Sequence, residues 1–448
     1  MKSLATKFNI YKDYSIDLIK LSGPILAGNL ANMLISVGDV VVAGRHSTVT
    51  LGAISVATAI FMTFMIAAAG LMASISPVVS NLRGERKTTK TLFRATVKYS
   101  LIIGLLFFLI IRLAINYVNL IGLAPDLYPL VIEYLDISSW GMFGGLLFLA
   151  LKEFLQAYEI VNFPNFVVVA EIFLNLFLNV AFVFGMWGFP ELGVKGLAIA
   201  SLIVRTVGGI ALLIYCIPFL KGHSKRTKTY IKELLKTGWP ISFALFFEFL
   251  GFNITAVLVG KFSSMLAAAH NIIITITSLT YMFPMSVSNA MAIKVGFANG
   301  EKNMTDIKRY SLAGIYLSAI FMALNALAYI FFPEFLLSLF TNDKNVILTA
   351  LPVINIVLCY LFFDGIQCCC VGSLKGLKDT KPIMFTMAIS YLLIGIPTGC
   401  ILAFKFNIVL IGFWSGLALA LFTACIISST ILLFRIKQMQ KISACHKP

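Results

Sequence analysis

The sequence is short of charge. Only 12% of its 448 residues are Asp, Glu, Lys or Arg, against roughly 25% in soluble domains. A chain that is 59% hydrophobic, with a mean hydropathy of +0.94, cannot hide its apolar surface in one water-soluble core. Lipid must therefore be its solvent. Histidine is scarce, with 4 residues, and no His/Cys set has metal-ligand spacing. Cys368, Cys369 and Cys370 stand in a row among the eight cysteines. Consecutive helical residues point about 100° apart, so the triplet reads as small apolar filler. Lys87-Thr88 lacks the Gly-rich approach of a phosphate loop, and no nucleophile–base set is evident. An enzyme and an ATP-driven pump are disfavoured, and no cofactor is expected. The segment Met1 to Asp13 has no small-residue cleavage site after a short apolar run, so no removable signal peptide is expected.

What charge there is has one sign. The net charge is +16, a value that in a soluble protein would suggest nucleic acid. Here the basic residues sit in short loops between apolar spans, which makes them orientation signals, not a nucleic-acid surface.

A spanning helix needs about 20 mainly apolar residues. Twelve candidates satisfy this, at 17–43, 48–76, 93–117, 129–152, 163–187, 194–220, 237–260, 264–292, 309–332, 346–372, 383–405 and 409–434. The loops alternate. Asn81 to Lys90, Lys221 to Lys236, Gly300 to Arg309, Ser373 to Lys381 and the tail from Arg435 are basic, whereas Asn119 to Pro129 and Gly188 to Gly193 contain no Lys or Arg. An even number of spans with both ends on the basic side places both termini in the cytoplasm.

The chain repeats itself. Pro24-Ile25 recurs as Pro240-Ile241, Gly44-Arg45 as Gly260-Lys261, and Arg83-Gly84-Glu85-Arg86 as Asn299-Gly300-Glu301-Lys302, all at an offset of 216 residues. Gly196-Leu197-Ala198 matches Gly416-Leu417-Ala418 at an offset of 220. The reading is an all-α membrane protein of twelve transmembrane helices. They form two pseudo-symmetric six-helix lobes, residues 1–225 and 226–448, around a central cavity.

Function is sought where the membrane spans accept polar cost. A charge at mid-bilayer costs about 2.5–3.5 kcal/mol on insertion scales. In the first span Asn29, Asn32, Ser36 and Asp39 are spaced by three, four and three, which aligns them on one helix face. In the seventh, Glu248 lies about eleven residues into the span among Phe243, Phe246, Phe247, Phe249 and Phe252. Aromatic faces such as Phe247 beside a carboxylate suit a lipophilic cation. In the tenth, Tyr360, Asp364 and Gln367 share a face, a set that could dehydrate a small cation or relay a proton. The fifth carries the stripe Glu171, Asn175 and Asn179, and the sixth carries Arg205 and Thr206. An unpaired mid-membrane arginine is costly, so Arg205 is expected to pair with Glu171 or Asp39. Glu133, Asp136 and Trp140 read as interfacial.

At this point the residues match a family. Pro24-Ile-Leu-Ala-Gly-Asn-Leu-Ala-Asn with Gly38-Asp39-Val-Val-Val-Ala-Gly-Arg45 resembles the first helix of multidrug and toxic compound extrusion (MATE) transporters. Leu192-Gly-Val-Lys-Gly-Leu-Ala-Ile-Ala, Met282-Phe-Pro-Met-Ser-Val and Leu374-Lys-Gly-Leu-Lys-Asp-Thr-Lys resemble later motifs of the same family. Ala244-Leu-Phe-Phe-Glu248 resembles its NorM-type branch; DinF-type relatives lack that glutamate.

The resemblance covers essentially the whole chain. It implies efflux of cationic or amphipathic organic compounds coupled to entry of Na+ or H+, by a monomer of the bacterial inner membrane. It implies a cation site at Asp39 with Asn175 and Asn179. A second is implied at Glu248, Asp364 and Tyr360, which would be the metal ligands if Na+ is the coupling ion. Asn32, Ser36, Phe247, Glu248, Asp364 and Gln367 are the candidate substrate contacts. Glu171 and Arg205 depart from the family pattern, and a pair between them would modulate the first site. The alternative is a flippase for lipid-linked precursors. That function usually needs a cationic cavity, because its cargo carries phosphates.

Overall fold

The computed structural model describes residues 2–87, 90–220 and 227–445. Among the described residues, twelve helices are long and apolar enough to cross a membrane: α1 Tyr11–His46, α2 Thr48–Gly84, α3 Thr91–Ile115, α4 Tyr128–Ala157, α5 Asn162–Val183, α6 Val194–Tyr215, α7 Thr227–Gly260, α8 Ser264–Gly300, α9 Met304–Phe331, α10 Lys344–Gly376, α11 Lys381–Lys405 and α12 Val409–Lys441. Each corresponds to one expected span. Most run beyond the apolar stretch, because a helix continues into polar residues wherever its backbone hydrogen bonds stay intact. The sixth is shorter than expected: α6 stops at Tyr215 and a 3-10 turn covers Ile217–Leu220, where Pro218 has no N–H to continue the α ladder.

Lipid exposure is written on the surface. Ile102, Leu105, Leu109 and Leu113 form an exposed stripe along α3. Tyr316, Ile320, Leu324, Leu327 and Phe331 form another along α9. Contiguous apolar faces of this size are not tolerated by water, so the chain is a multi-pass membrane protein. Charges at helix ends pair: Arg112 with Asp136, and Lys195 with Glu133 at 3.4 Å.

The internal repeat reaches down to local backbone geometry. Ser47 caps α2 by accepting from the Thr50 N–H, and Ser263 caps α8 by accepting from the Leu266 N–H. Both serines have extended backbone and they lie 216 residues apart. Arg86 (φ 55°) and Lys302 (φ 58°), at the same offset, take left-handed conformations just past the ends of these helices. Glu159 and Lys378 do so after α4 and α10, and Trp187 and Asn407 do so later in each half.

Packing repeats as well: α4 lies against α2, α3 and α6, and α10 against α8, α9 and α12. Contacts divide the chain into two compact units. One contains Pro24–Val79 and Arg86–Ser242, the other Met1–Gly23, Ser80–Glu85 and Phe243–Pro448. The boundary expected between residues 225 and 226 lies outside the described residues.

α11 is not a regular helix throughout. Residues Ala388–Gly395 form a π-helix, immediately ahead of Pro397. Wide turns of this kind mark breaks in the α ladder and are frequent at functional sites. The cysteine triplet points three ways, as the helical period requires. The Sγ atoms of Cys368, Cys369 and Cys370 lie against the Tyr281 hydroxyl, the Gly314 carbonyl and the Ser429 hydroxyl, respectively.

Candidate functional site

The unit containing Pro24–Val79 and Arg86–Ser242 encloses a cavity of about 580 Å3. Four charged side chains line it: Asp39 from α1, Lys152 from α4, Glu171 from α5 and Arg205 from α6. Asn29, Asn32, Ser36 and Asn175 share the wall, so the aligned face of α1 does point into a cavity. Phe61, Met62, Met65, Tyr134 and Phe148 supply its apolar surface.

Asp39 is held by amides. Asn175 Nδ2 donates to Asp39 Oδ1 at 3.1 Å and Asn179 Nδ2 donates to the same oxygen at 2.6 Å. Asn179 Nδ2 also reaches Asn175 Oδ1 at 3.0 Å. The i, i+4 spacing on α5 places both amides on one face, and burial of both side chains fixes their rotamers. Nearer the other end of α1, Asn165 Nδ2 donates to the Pro24 carbonyl at 2.6 Å, a second tie between α5 and α1. Asn32 Nδ2 donates to the Gly28 carbonyl of its own helix at 3.0 Å.

Glycines set the spacing of the helices that carry the other charges. A Cβ at Gly144 of α4 would meet the backbone of Arg205 and Thr206 on α6. A Cβ at Gly208 of α6 would fall directly on the Glu171 carboxylate. Small residues let membrane helices approach this closely. The Arg205 guanidinium stacks over the Phe61 ring at 4.5 Å. Its charge acts through space on both Asp39 and Glu171. Among the described residues, however, the ion pairs do not include one from Arg205 to either carboxylate. A ring face partly replaces the expected counter-ion. Thr206 uses its hydroxyl on its own helix, donating to the Leu202 carbonyl.

Sequence reading missed Lys152. The expected fourth span stopped at that residue, as though the lysine marked water. Instead α4 continues to Ala157, Lys152 is 6% exposed, and its ammonium reaches Asn29 Oδ1 at 3.5 Å. The signal was available, since Phe154 and Leu155 carry the apolar pattern past the lysine.

The other unit gathers a second acidic group. Tyr360, Asp364 and Gln367 of α10 are all buried. Asp364 Oδ2 has no hydrogen-bond partner among the described residues. Glu248 of α7 lies close enough to act electrostatically on Asp364 and Tyr360. The surrounding wall is aromatic: Phe252 meets Tyr360 and Tyr391, and Tyr360 meets Trp414 at 5.6 Å. Tyr391 stands on the π-helical stretch of α11, and a Cβ at Gly251 would run into its ring. Gln367 turns aside, donating to Met387 Sδ at 3.7 Å. Phe247 is half-buried, beside Phe243 and Phe246. Two carboxylates with phenols around them offer hard oxygen ligands for a small cation, or carriers for a proton.

A family model named MatE matches residues 24–181 and 240–401. A protein described as a probable multidrug resistance protein NorM from Idiomarina loihiensis is 30% identical over 429 residues, covering 92% of each chain. The multidrug resistance protein NorM of Vibrio cholerae is 29% identical over 449 residues, covering 96% of this chain and 98% of that one. The crystal structure of the eukaryotic MATE transporter AtDTX14 superposes with a TM-score of 0.85 at 18% identity, covering 96% of this chain and 98% of that one. With a family match over most of its length and relatives aligned nearly end to end, this twelve-helix membrane protein belongs to the MatE family.

Proposed function

We propose that the protein is a secondary antiporter of the bacterial inner membrane. It exports cationic or amphipathic organic compounds in exchange for Na+ or H+, as a monomer with both termini in the cytoplasm. The curated relatives are named multidrug resistance proteins, and the basic loops support the orientation. The observation that carries the reading is Asp39, a carboxylate held by two amides in the wall of a drug-sized cavity.

The logic is competition for buried carboxylates. Asp39, with Asn175 and Asn179, and separately Glu248 and Asp364, with Tyr360, bind either the incoming cation or a cationic compound. Desolvation and repulsion disfavour both together. Cation binding from outside then releases the compound. Each charge moved inward gains about 2.3 kcal/mol per 100 mV of membrane potential. Asn32, Ser36, Phe247 and Gln367 would complete the contacts to the compound.

The test is dye efflux from proteoliposomes under an imposed Na+ gradient, then under an imposed pH gradient. One gradient should drive efflux and so name the coupling ion. No efflux under either gradient would overturn the antiporter reading.

A further inference from the structure

The cavity that holds Asp39 is not simply acidic. Two cations, Lys152 and Arg205, line it with two carboxylates, Asp39 and Glu171. Hydrogen bonding is unevenly shared among them. Asp39 Oδ1 accepts from both Asn175 and Asn179. Lys152 has one long contact, to Asn29 Oδ1 at 3.5 Å. Arg205 has a ring face rather than an anion. Neither cation forms an ion pair among the described residues. An ammonium carries three N–H donors and a guanidinium five, so most of this capacity faces the cavity unspent. Glu171, 6% exposed, likewise has no hydrogen bond among the described residues.

These groups are seated, not stray. Lys152 is 6% exposed, on a helix that continues past it. The Arg205 stem packs at van der Waals distance against Gly141 and Gly145, and Gly208 gives the Glu171 carboxylate its space. Buried charges are expensive in a membrane. A pair of cations kept without anions at contact distance is best accounted for by an anion that arrives. The aromatic and methionine walls, and a volume of about 580 Å3, fit a ring system rather than an inorganic ion.

Granted that this cavity takes the transported compound, we propose that it is a bipolar site for zwitterionic aromatic amphiphiles. Lys152 and Arg205 bind the ligand's carboxylate, and Glu171 faces its cationic end. Guanidinium and ammonium together bind a carboxylate by charge-assisted hydrogen bonds. Such a site admits a zwitterion without net charge entering the cavity.

The test uses two dyes that differ only in the anion: rhodamine B, a carboxylate zwitterion, and its ethyl ester, a cation. Binding to the purified full-length protein in detergent is followed by fluorescence anisotropy at a pH where the acid is ionised. K152Q and R205Q should each weaken rhodamine B on the order of tenfold without weakening the ester, whose cation they no longer repel, and R205K should restore most of the loss. Retained binding of the ester shows that the variants are folded. E171Q should weaken both dyes. Equal losses of both dyes in K152Q and R205Q, or no loss of rhodamine B, overturn the carboxylate site. A wild-type protein that binds the ester but not rhodamine B also overturns it, while leaving the antiporter reading standing. A wild type that binds neither dye counts against both.

Discussion

Asn179 Nδ2 lies 2.6 Å from Asp39 Oδ1, joining residues 140 apart in the chain across the contact of α5 with α1. Asn175 reaches the same oxygen from one turn earlier. Both donors converge on one carboxylate oxygen and tie it to α5.

Removing one donor tests what this pair does. Hydrogen bonds to charged groups contribute about 1.5–3 kcal/mol, which is roughly a tenfold to hundredfold change in affinity. Asn179 donates to the ionised carboxylate and so favours it; N179A should therefore change coupling-ion affinity by that factor, tightening a proton, while the protein still inserts. Ion-concentration dependence of dye efflux measures it. Unaltered half-saturation would remove Asn179 from the cation site.

In the other unit, E248Q and D364N keep size and remove charge. Each should cut drug efflux severely, with the protein still present in the membrane fraction. Resistance of cells expressing either variant is the readout. Normal resistance in both would sink the assignment of Glu248 and Asp364.

Gly208 has its own prediction. An added methyl group would collide with the Glu171 carboxylate. Overpacking of this kind costs about 1–3 kcal/mol, so G208A should lower the melting temperature in detergent. Shortening the neighbour should relieve the collision, and G208A/E171A should melt above G208A alone. If the second change gives no recovery, the two side chains do not share that space.

The paired serine caps make the repeat measurable. S47A and S263A each remove one bond to a helix N-terminal N–H, a loss of about 0.5–2 kcal/mol. The caps share no partner, so the double variant should lose close to the sum. The Ser47 hydroxyl also donates to Thr50 Oγ1 at 2.9 Å, so in thermal unfolding S47A should lower the melting temperature at least as far as S263A. A larger fall in S263A, or no fall in either, would mean that the two caps are alike only in backbone geometry.

By itself the sequence determined the helices and their polar faces. Both are local properties: apolar length sets a span, and the 3.6-residue period fixes which side chains share a face. Asn32, Ser36 and Asp39 line one cavity, and Asn175 with Asn179 form one stripe, as spacing required. The offset of 216 residues in the sequence returns as matched serine caps and matched left-handed residues, because caps and turns are also local. Contacts between helices were another matter. That Arg205 rests on Phe61 instead of pairing with Glu171 or Asp39 depends on which side chains α2 and α5 present to α6. That Lys152 is buried in the same cavity follows from where α4 lies against its neighbours, since a lysine at the end of an apolar run reads locally as the edge of water. Tertiary packing alone decided which charges met, because helix periodicity fixes a side chain's direction but not what stands opposite it.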